Sequence, residues 1–345
     1  MKPLRVAMVG AGRISKQHLA AFDLATESVQ LVGVCDADKK AAESCARERN
    51  VPAVASMEDV LLMKPEAVLL GTPSGLHAEQ ASFFLERSIH VITEKPLAVD
   101  VHDAAKVCVD QSTSHGKVFV LQQLRTLAIV QQIKELLANQ CFGVLAVAQV
   151  NVFRTRPQAY FDAVPWRGNQ ELDGGALLNQ ASHYLDLLLW FLDAVRQVRG
   201  ISRTLARDIE SEDSVVASIE FESGALATVS CTVLSYPRDF EDSITLIGTE
   251  GTLKIRGKTL QNIDTFTFKH DESLQPNIGD DTSLGMLHAR YFQEVCLALR
   301  AKRTPGCIAT AEEGFQLVSL INAIHRSSTT QRAESPYRIE ELKGP

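Results

Sequence analysis

The apolar positions of this chain fall into two rhythms. Up to about residue 125, β-rich runs at 4–9, 29–36, 66–77, 90–97 and 117–125 alternate with stretches of helical period. Strands that alternate with helices predict a parallel sheet covered on both faces. After one helix, Ala128 to Ala138, β-like runs recur at 144–154, 197–206, 213–221, 225–234, 241–248 and 251–256, joined by short turns such as ESGA and GTEG. Strands in succession without intervening helices predict a largely antiparallel, open sheet. Helix-period segments at 286–302 and 311–328 close the pattern, with no internal repeat or low-complexity linker. The expectation is an α/β chain of two domains, 1–124 with the parallel sheet and 125–345 an α+β domain with the open sheet. An apolar sheet face seldom stays exposed, so that face is expected to join subunits into a homo-oligomer, dimer or tetramer.

One helix breaks the pattern. GGALLNQASHYLDLLLWFL, residues 174–192, is apolar almost all round. At ~100° per residue, Asn179, His183 and Asp186 fall within roughly 60° of each other. The opposite seam is Leu178, Ala181, Leu185, Leu188 and Leu192. A solvated stripe is the plain explanation, but Leu187, Trp190 and Phe191 border it on the same side. The stripe is therefore expected to face an internal cleft, where a histidine can move a proton.

Composition narrows the classes. At 345 residues, with 45% hydrophobic and 22% charged, the chain has globular composition. A net charge of -7 speaks against nucleic-acid and membrane partners, yet a local arginine cluster can still hold an anionic small substrate. Seven cysteines at 35, 45, 108, 141, 231, 296 and 307 contain no C-x-x-C pair, which predicts free thiols and no metal site. MKPLRVAMVGAGR has no signal-peptide layout, and no apolar run approaches the ~18 residues of a membrane span, so the expected location is the cytoplasm.

The first β-run leads into Gly10-Ala-Gly12-Arg13-Ile14-Ser15 and then a helix-period segment. Gly10 and Gly12 let backbone amides approach a pyrophosphate at the helix N-terminus, and small Ser15 keeps helix and strand close. A bare G-x-G pattern matches by chance; here a strand precedes it and a helix follows. The second strand ends in Asp36, placed to accept hydrogen bonds from a ribose and to repel a 2′-phosphate. These features predict a Rossmann domain that prefers NAD to NADP, although Lys39 and Lys40 follow closely.

In parallel sheets ligands bind outside the carboxyl ends of the strands. Those ends carry Gly71, Thr72 and Pro73, then Glu94, Lys95 and Pro96, then Gln122 and Gln123. His77 reads as a structural or cofactor-contact residue, and Lys95 as a candidate for touching substrate. Ahead of the polar helix, FRTRPQAYFDAVPWRGNQELDGG interleaves Arg154, Arg156 and Arg167 with Tyr160 and Trp166. Guanidinium forks suit carboxylates and phosphates, and aromatic faces suit a sugar or base.

The glycine turn, Asp36, TEKPL and the helix carrying His-x-x-Asp together resemble the Gfo/Idh/MocA oxidoreductases over nearly the whole chain. The resemblance implies a Rossmann domain followed by an open-sheet domain, and hydride exchange between NAD and a secondary alcohol of a sugar-like substrate. The family's Glu-Lys-Pro motif maps onto Glu94, Lys95 and Pro96, and its helix histidine onto His183. GTPSGLH, NVFRTRPQAYFDAVPWRG, DGGALLNQASHYLDLL, TLARDIESED and SITLIGTEGTL are similar to one branch of the family. For that branch the resemblance implies oxidation at carbon 3 of a UDP-linked N-acetylated amino-sugar uronate in bacterial surface-polysaccharide synthesis. Two positions depart from the family's habits: Asn179 stands where many sugar dehydrogenases have Asp, and QQLR stands where the branch has QNR.

Residues and resemblance give Gly10, Gly12, Arg13, Ile14, Asp36, Thr72, Pro73, His77, Glu94, Lys95 and Gln123 to the cofactor, and Arg156, Tyr160, Trp166, Arg167, Asn179 and His183 to the substrate. His183 is the first choice for base, with Lys95 polarising the carbinol oxygen; the reverse assignment stays open. Other readings are a different sugar or inositol dehydrogenase of the family, an NAD-recycling glycoside hydrolase, and a non-catalytic dinucleotide-binding regulator. The last has no use for Lys95 and His183 together.

Overall fold

The computed structural model describes residues 2–192, 194–269, 273–279, 283–301 and 306–342. The chain runs β1 (Leu4–Val9), α1 (Ser15–Leu24), β2 (Val29–Cys35), α2 (Lys39–Arg47), β3 (Ala53–Val54), α3 (Met57–Leu62), β4 (Ala67–Leu70), α4 (His77–Leu85), β5 (His90–Thr93), α5 (Val101–Thr113) and β6 (Val118–Val120). It continues with α6 (Ala128–Ala138), β7 (Leu145–Phe153), α7 (Gln158–Asp162), a π-helical turn (Leu177–Ala181) and α8 (Ser182–Phe191). Strands β8 (Val195–Arg203), β9 (Ser214–Phe221), β10 (Leu226–Thr232), β11 (Glu241–Gly248), β12 (Gly251–Arg256) and β13 (Asn262–Phe268) follow. The described chain closes with α9 (Leu284–Ala301), β14 (Ala309–Thr310), α10 (Ala311–Thr330) and α11 (Ile339–Leu342). No described helix is long and apolar enough to cross a membrane.

The chain divides into two compact units. The first comprises Met1–Ala98, His102–Thr126 and Ser283–Phe315. Its sheet has the order β14-β6-β5-β4-β1-β2-β3, parallel throughout except where β14 pairs with β6. Ala67 to Leu70 of β4 are all fully buried, as a parallel strand covered on both faces requires. The strand order turns back between β1 and β4, the switch point where such sheets bind ligands.

The sequence reading ended the first domain at residue 124, whereas this unit also contains α9, which returns from far along the chain. On α9, Phe292 meets Phe22 of α1 with ring centroids 5.0 Å apart, and the Tyr291 hydroxyl donates to the Val120 carbonyl. Arg300 near its end grips both oxygens of Glu66, at 2.8 and 2.9 Å. Of the expected helix 286–302, residue 302 lies outside the described residues.

The second unit comprises Val99–Val101, Leu127–Thr282 and Gln316–Pro345. Its sheet order is β13-β12-β11-β7-β10-β9-β8, antiparallel except between β7 and β10. Alternation fixes which side is core: Val215, Ala217, Ile219 and Phe221 of β9 are buried, and Val216 and Ser218 point out. The outward face is mixed rather than apolar. Val147, Val216, Leu226 and Ile247 are exposed there among Gln149, Ser218 and Thr228. Strand β13 escapes the hydrophobic pattern because it is an edge strand, largely half-buried or exposed.

Candidate active site

In the first unit, Gly10 follows β1 with φ +102°, a conformation that costs an L side chain energy. A Cβ there would lie 2.6 Å from the Gly71 carbonyl carbon and 2.8 Å from the Thr72 nitrogen, so the turn needs glycine for space as well. Gly12 has nothing within 4 Å of its would-be Cβ. Among the described residues, no protein acceptor meets the backbone N–H groups of Gly12, Arg13 and Ile14. Those donors, at the N-terminus of α1, form the cradle a pyrophosphate needs. Ser15 is buried and its hydroxyl donates to the Gly12 carbonyl at 2.7 Å, which tightens the turn from inside.

Asp36 does more than face a ribose. Its Oδ2 accepts the Ala11 N–H at 2.7 Å and its Oδ1 accepts the Asp38 N–H at 2.8 Å. The carboxylate thus braces the glycine turn while keeping lone pairs for a ligand. Asp36→Ala is therefore expected to narrow the preference for NAD over NADP and also to weaken NAD itself, about tenfold for one lost charge-assisted bond. Titration calorimetry with both dinucleotides checks this; unchanged NAD affinity with unchanged preference would remove Asp36 from the site.

The next strand ends supply the expected residues. The Thr72 hydroxyl donates to Gln80 Oε1 at 2.7 Å. His77 is buried, with Nδ1 2.8 Å from the Pro96 carbonyl oxygen and Nε2 3.0 Å from that of Thr72. Burial pushes its pKa down, against the pull of the two carbonyls. A neutral ring donates to only one of them. His77 is thus a clamp between two loops. Glu94 is turned inward toward His18, and its Oε2 accepts the Lys95 N–H at 3.3 Å. Lys95 is half-buried; Gln123 is buried in a short 3-10 turn after β6.

In the second unit, the segment before the polar helix forms one cluster. Arg156 and Arg167 both lie over the Tyr160 ring, at 5.4 and 4.1 Å from its centroid, and Trp166 lies 5.7 Å from the Arg167 guanidinium. Arg167 Nη1 donates to the Tyr160 carbonyl at 2.8 Å, while its buried Nε meets no acceptor among the described residues. Arg156 donates to Asp239 at 3.2 Å and to Gln180 at 2.8 Å. Arg154 grips Asp242 through Nε at 3.0 Å and Nη2 at 2.9 Å, deep beside Tyr184, and shares the Gln180 Oε1 acceptor with Arg156 through Nη1 at 3.3 Å.

The helix 174–192 is not regular. Leu177–Ala181 is a π turn, and α8 starts only at Ser182. The ~100° spacing therefore does not hold across Asn179. Asp186 is 2% exposed, so it leaves the polar line; Asn179 and His183 remain half-buried. Of the expected seam, Leu178, Ala181, Leu185 and Leu188 are buried, whereas Leu192 lies just past the end of α8 and is half-buried. The Asn179 amide donates to Asp173, whose other oxygen accepts the Gly168 N–H at 2.8 Å. Asn179 Oδ1 accepts from Gln180 at 2.5 Å, and Gln180 Oε1 in turn accepts from Arg156.

Sequence reasoning missed Asp173, Gln180, Glu212 and Asp213. Asp173 stands before two glycines with φ +77° and +93°, and a Cβ on Gly175 would collide with the Glu212 carboxylate at 2.0 Å. Glu212 Oε1 accepts the Leu177 N–H at 3.0 Å, anchoring the start of the helix. Asp213, fully buried, accepts the N–H groups of Leu205, Ala206 and Arg207. The TLARDIESED stretch is thus held by its own carboxylates, a signal legible only as a run of acids.

The comparisons with known proteins bear on both units. Residues 4–122 match the model of the oxidoreductase family with NAD-binding Rossmann fold, and residues 130–254 match the GFO/IDH/MocA C-terminal domain. The chain is 35% identical to the WlbA dehydrogenase of Bordetella pertussis, solved in complex with NADH and UDP-GlcNAcA, covering 97% of this chain and 99% of that one with a TM-score of 0.88. The chain belongs to the Gfo/Idh/MocA family. The WlbA dehydrogenase of Chromobacterium violaceum, in complex with the same two molecules, is 35% identical over 97% and 96% of the chains, with a TM-score of 0.90. D-glucoside 3-dehydrogenase of Escherichia coli is 28% identical over 95% and 96%. As a Gfo/Idh/MocA protein the chain is an NAD-dependent oxidoreductase, and its glycine turn, free amides and Asp36 fit that cofactor.

Proposed function

We propose that this chain oxidises the 3-hydroxyl of UDP-N-acetylglucosaminuronate to a ketone. The observation that carries the reading is the Arg156–Tyr160–Arg167 cluster in an otherwise acidic chain. It is supported by similarity to two dehydrogenases solved with UDP-GlcNAcA. NAD, when bound, accepts the hydride from the carbinol carbon. Lys95 Nζ donates a hydrogen bond to the carbinol oxygen, where negative charge grows as the hydride leaves. An imidazole nitrogen of His183 accepts the hydroxyl proton. Asn179, held by Asp173, orients the substrate beside it.

The cationic cluster reads the uronate carboxylate. Asp239 pairs with Arg156 from a half-exposed position, so a substrate carboxylate can take its place on that guanidinium. Arg156→Ala and Arg167→Ala are expected to weaken UDP-N-acetylglucosaminuronate by ~2–3 kcal/mol and neutral UDP-N-acetylglucosamine by much less. Calorimetry with both nucleotide sugars tests this. An equal loss puts the arginine at the diphosphate, and no loss for either takes the loop out of the site.

A second reading has one observation in its favour, the full-length similarity to a D-glucoside 3-dehydrogenase. It keeps the carbon and changes the sugar, and it leaves the arginine cluster without a ligand. A 3-keto nucleotide sugar suits an aminotransferase in surface-polysaccharide synthesis, in the cytoplasm where nucleotide sugars are made. The open face of the second sheet is where copies of the chain associate in this reading, through Val147, Val216, Leu226 and Ile247.

A further inference from the structure

Two buried histidines in the first unit have no role in the site described above. His18, on α1, is fully buried, and His288, on α9, is 2% exposed. His18 Nε2 lies 3.1 Å from Glu94 Oε1, and the two imidazole rings are 5.3 Å apart. His18 also packs on the end of β4, because a Cβ on Gly71 would meet its ring at 3.8 Å and Ile14 at 3.3 Å.

Burial alone would push the Glu94 carboxyl up. Contact with His18, then the fields of His288 and Lys95, overcome it and hold the group down to about 2. His288 is pushed down to about 4, by burial first and by the charge of His18 second. A carboxylate buried in this way needs its partner close, and losing either partner strands the other.

Glu94 is the residue before Lys95, and its second oxygen accepts the Lys95 backbone N–H. On the other side of Lys95, the Pro96 carbonyl meets His77. Two buried histidines therefore brace the neighbours of Lys95, His18 at Glu94 ahead of it and His77 at the Pro96 carbonyl behind it.

We propose that His18, acting through Glu94, is a positioning residue for Lys95. The His18–Glu94 pair fixes the turn after β5 against the helix that springs from the glycine turn, so the lysine keeps its place relative to the dinucleotide. This deepens the function proposed above and rests on its assignment of Lys95 to the reacting carbinol.

The test uses the whole 345-residue chain labelled with 15N-lysine, saturated with NADH. The Lys95 amide signal, identified by its absence in Lys95→Arg, shifts in His18→Gln and in the isosteric Glu94→Gln, while the amides of surface lysines stay put. In single turnovers with UDP-N-acetylglucosaminuronate, His18→Gln lowers the hydride-transfer rate about tenfold with NAD affinity unchanged, and adds nothing to the loss already caused by Lys95→Ala. A Lys95 amide unmoved in both variants, or a fully additive double variant, overturns the positioning role. If the wild type transfers no hydride from the uronate, the substrate reading fails on its own and the amide signal decides the proposal.

Discussion

Lys95→Ala and His183→Ala are each expected to lower single-turnover hydride transfer by ~10²-fold or more while leaving NAD affinity nearly intact. The size follows from the chemistry. An alkoxide-like transition state needs a base for its proton and a donor for its growing charge, and each contribution is typically worth ~10²–10⁴-fold. Lys95 is half-buried between Glu94 and Pro96, both anchored by histidines, so its truncation should leave the turn standing. His183 is one of the few half-buried residues of α8, so its loss should leave the helix packed. A variant that keeps the wild-type rate identifies its residue as structural. If the two losses differ greatly, the larger marks the base, because a missing polarising donor is more readily replaced by water.

Gly10→Ala should be nearly as damaging, by a different route. The new methyl would sit 2.6 Å from the Gly71 carbonyl carbon, on a backbone at φ +102°. Backbone on both sides has nowhere to retreat, and the strained conformation adds about 1–3 kcal/mol. NAD affinity is expected to fall ~10²-fold or more, and the thermal midpoint with it, because the turn brings β1 against β4. Gly12→Ala is the contrast. Nothing stands within 4 Å of that position, so the midpoint should hold while the cradle alone loses NAD affinity. Fluorescence titration of NADH and thermal unfolding separate the two; a Gly10→Ala protein that binds NADH normally contradicts the geometry.

What could be read from the chain divides along physical lines. Local signals were enough for β1, β2, β4, β5 and β6 of the first sheet, each a short β-rich run, whereas β3 and β14 are two residues long and carry no readable pattern. The same signals gave most of the second sheet, where strands such as β9 alternate with period two. Edge strand β13 was invisible because half-burial erases the alternation. The place of α9 in the first unit was invisible because nothing local marks a helix as returning to a distant sheet.

The site shows the same division. The Gly10 turn, Asp36 and the Arg156–Tyr160–Arg167 cluster are contiguous in sequence and were legible there. Asp173, Glu212 and Asp213 work through backbone N–H groups, which leave no residue pattern of their own. The polar line on the site helix was drawn with one α-helical period; the π turn at Leu177–Ala181 breaks that period at Asn179, and Asp186 is buried rather than on the line. Gln180, which joins Asn179 to Arg156, lies off that idealised line, so no residue pattern singled it out.

The central claim is that the hydride comes from carbon 3 of a UDP-linked amino-sugar uronate. The most direct measurement incubates the NAD-loaded protein with UDP-N-acetylglucosaminuronate carrying deuterium at carbon 3, and examines the nicotinamide ring by mass spectrometry. Net turnover is expected to be small, because a 3-keto sugar is an unfavourable product unless the reduced cofactor is reoxidised or the ketone is consumed. The label is therefore read on the cofactor, within a single turnover. Deuterium on the nicotinamide is the result this account predicts. An unlabelled nicotinamide, under conditions where calorimetry shows the sugar bound, would contradict it and move the reaction to another carbon or another sugar.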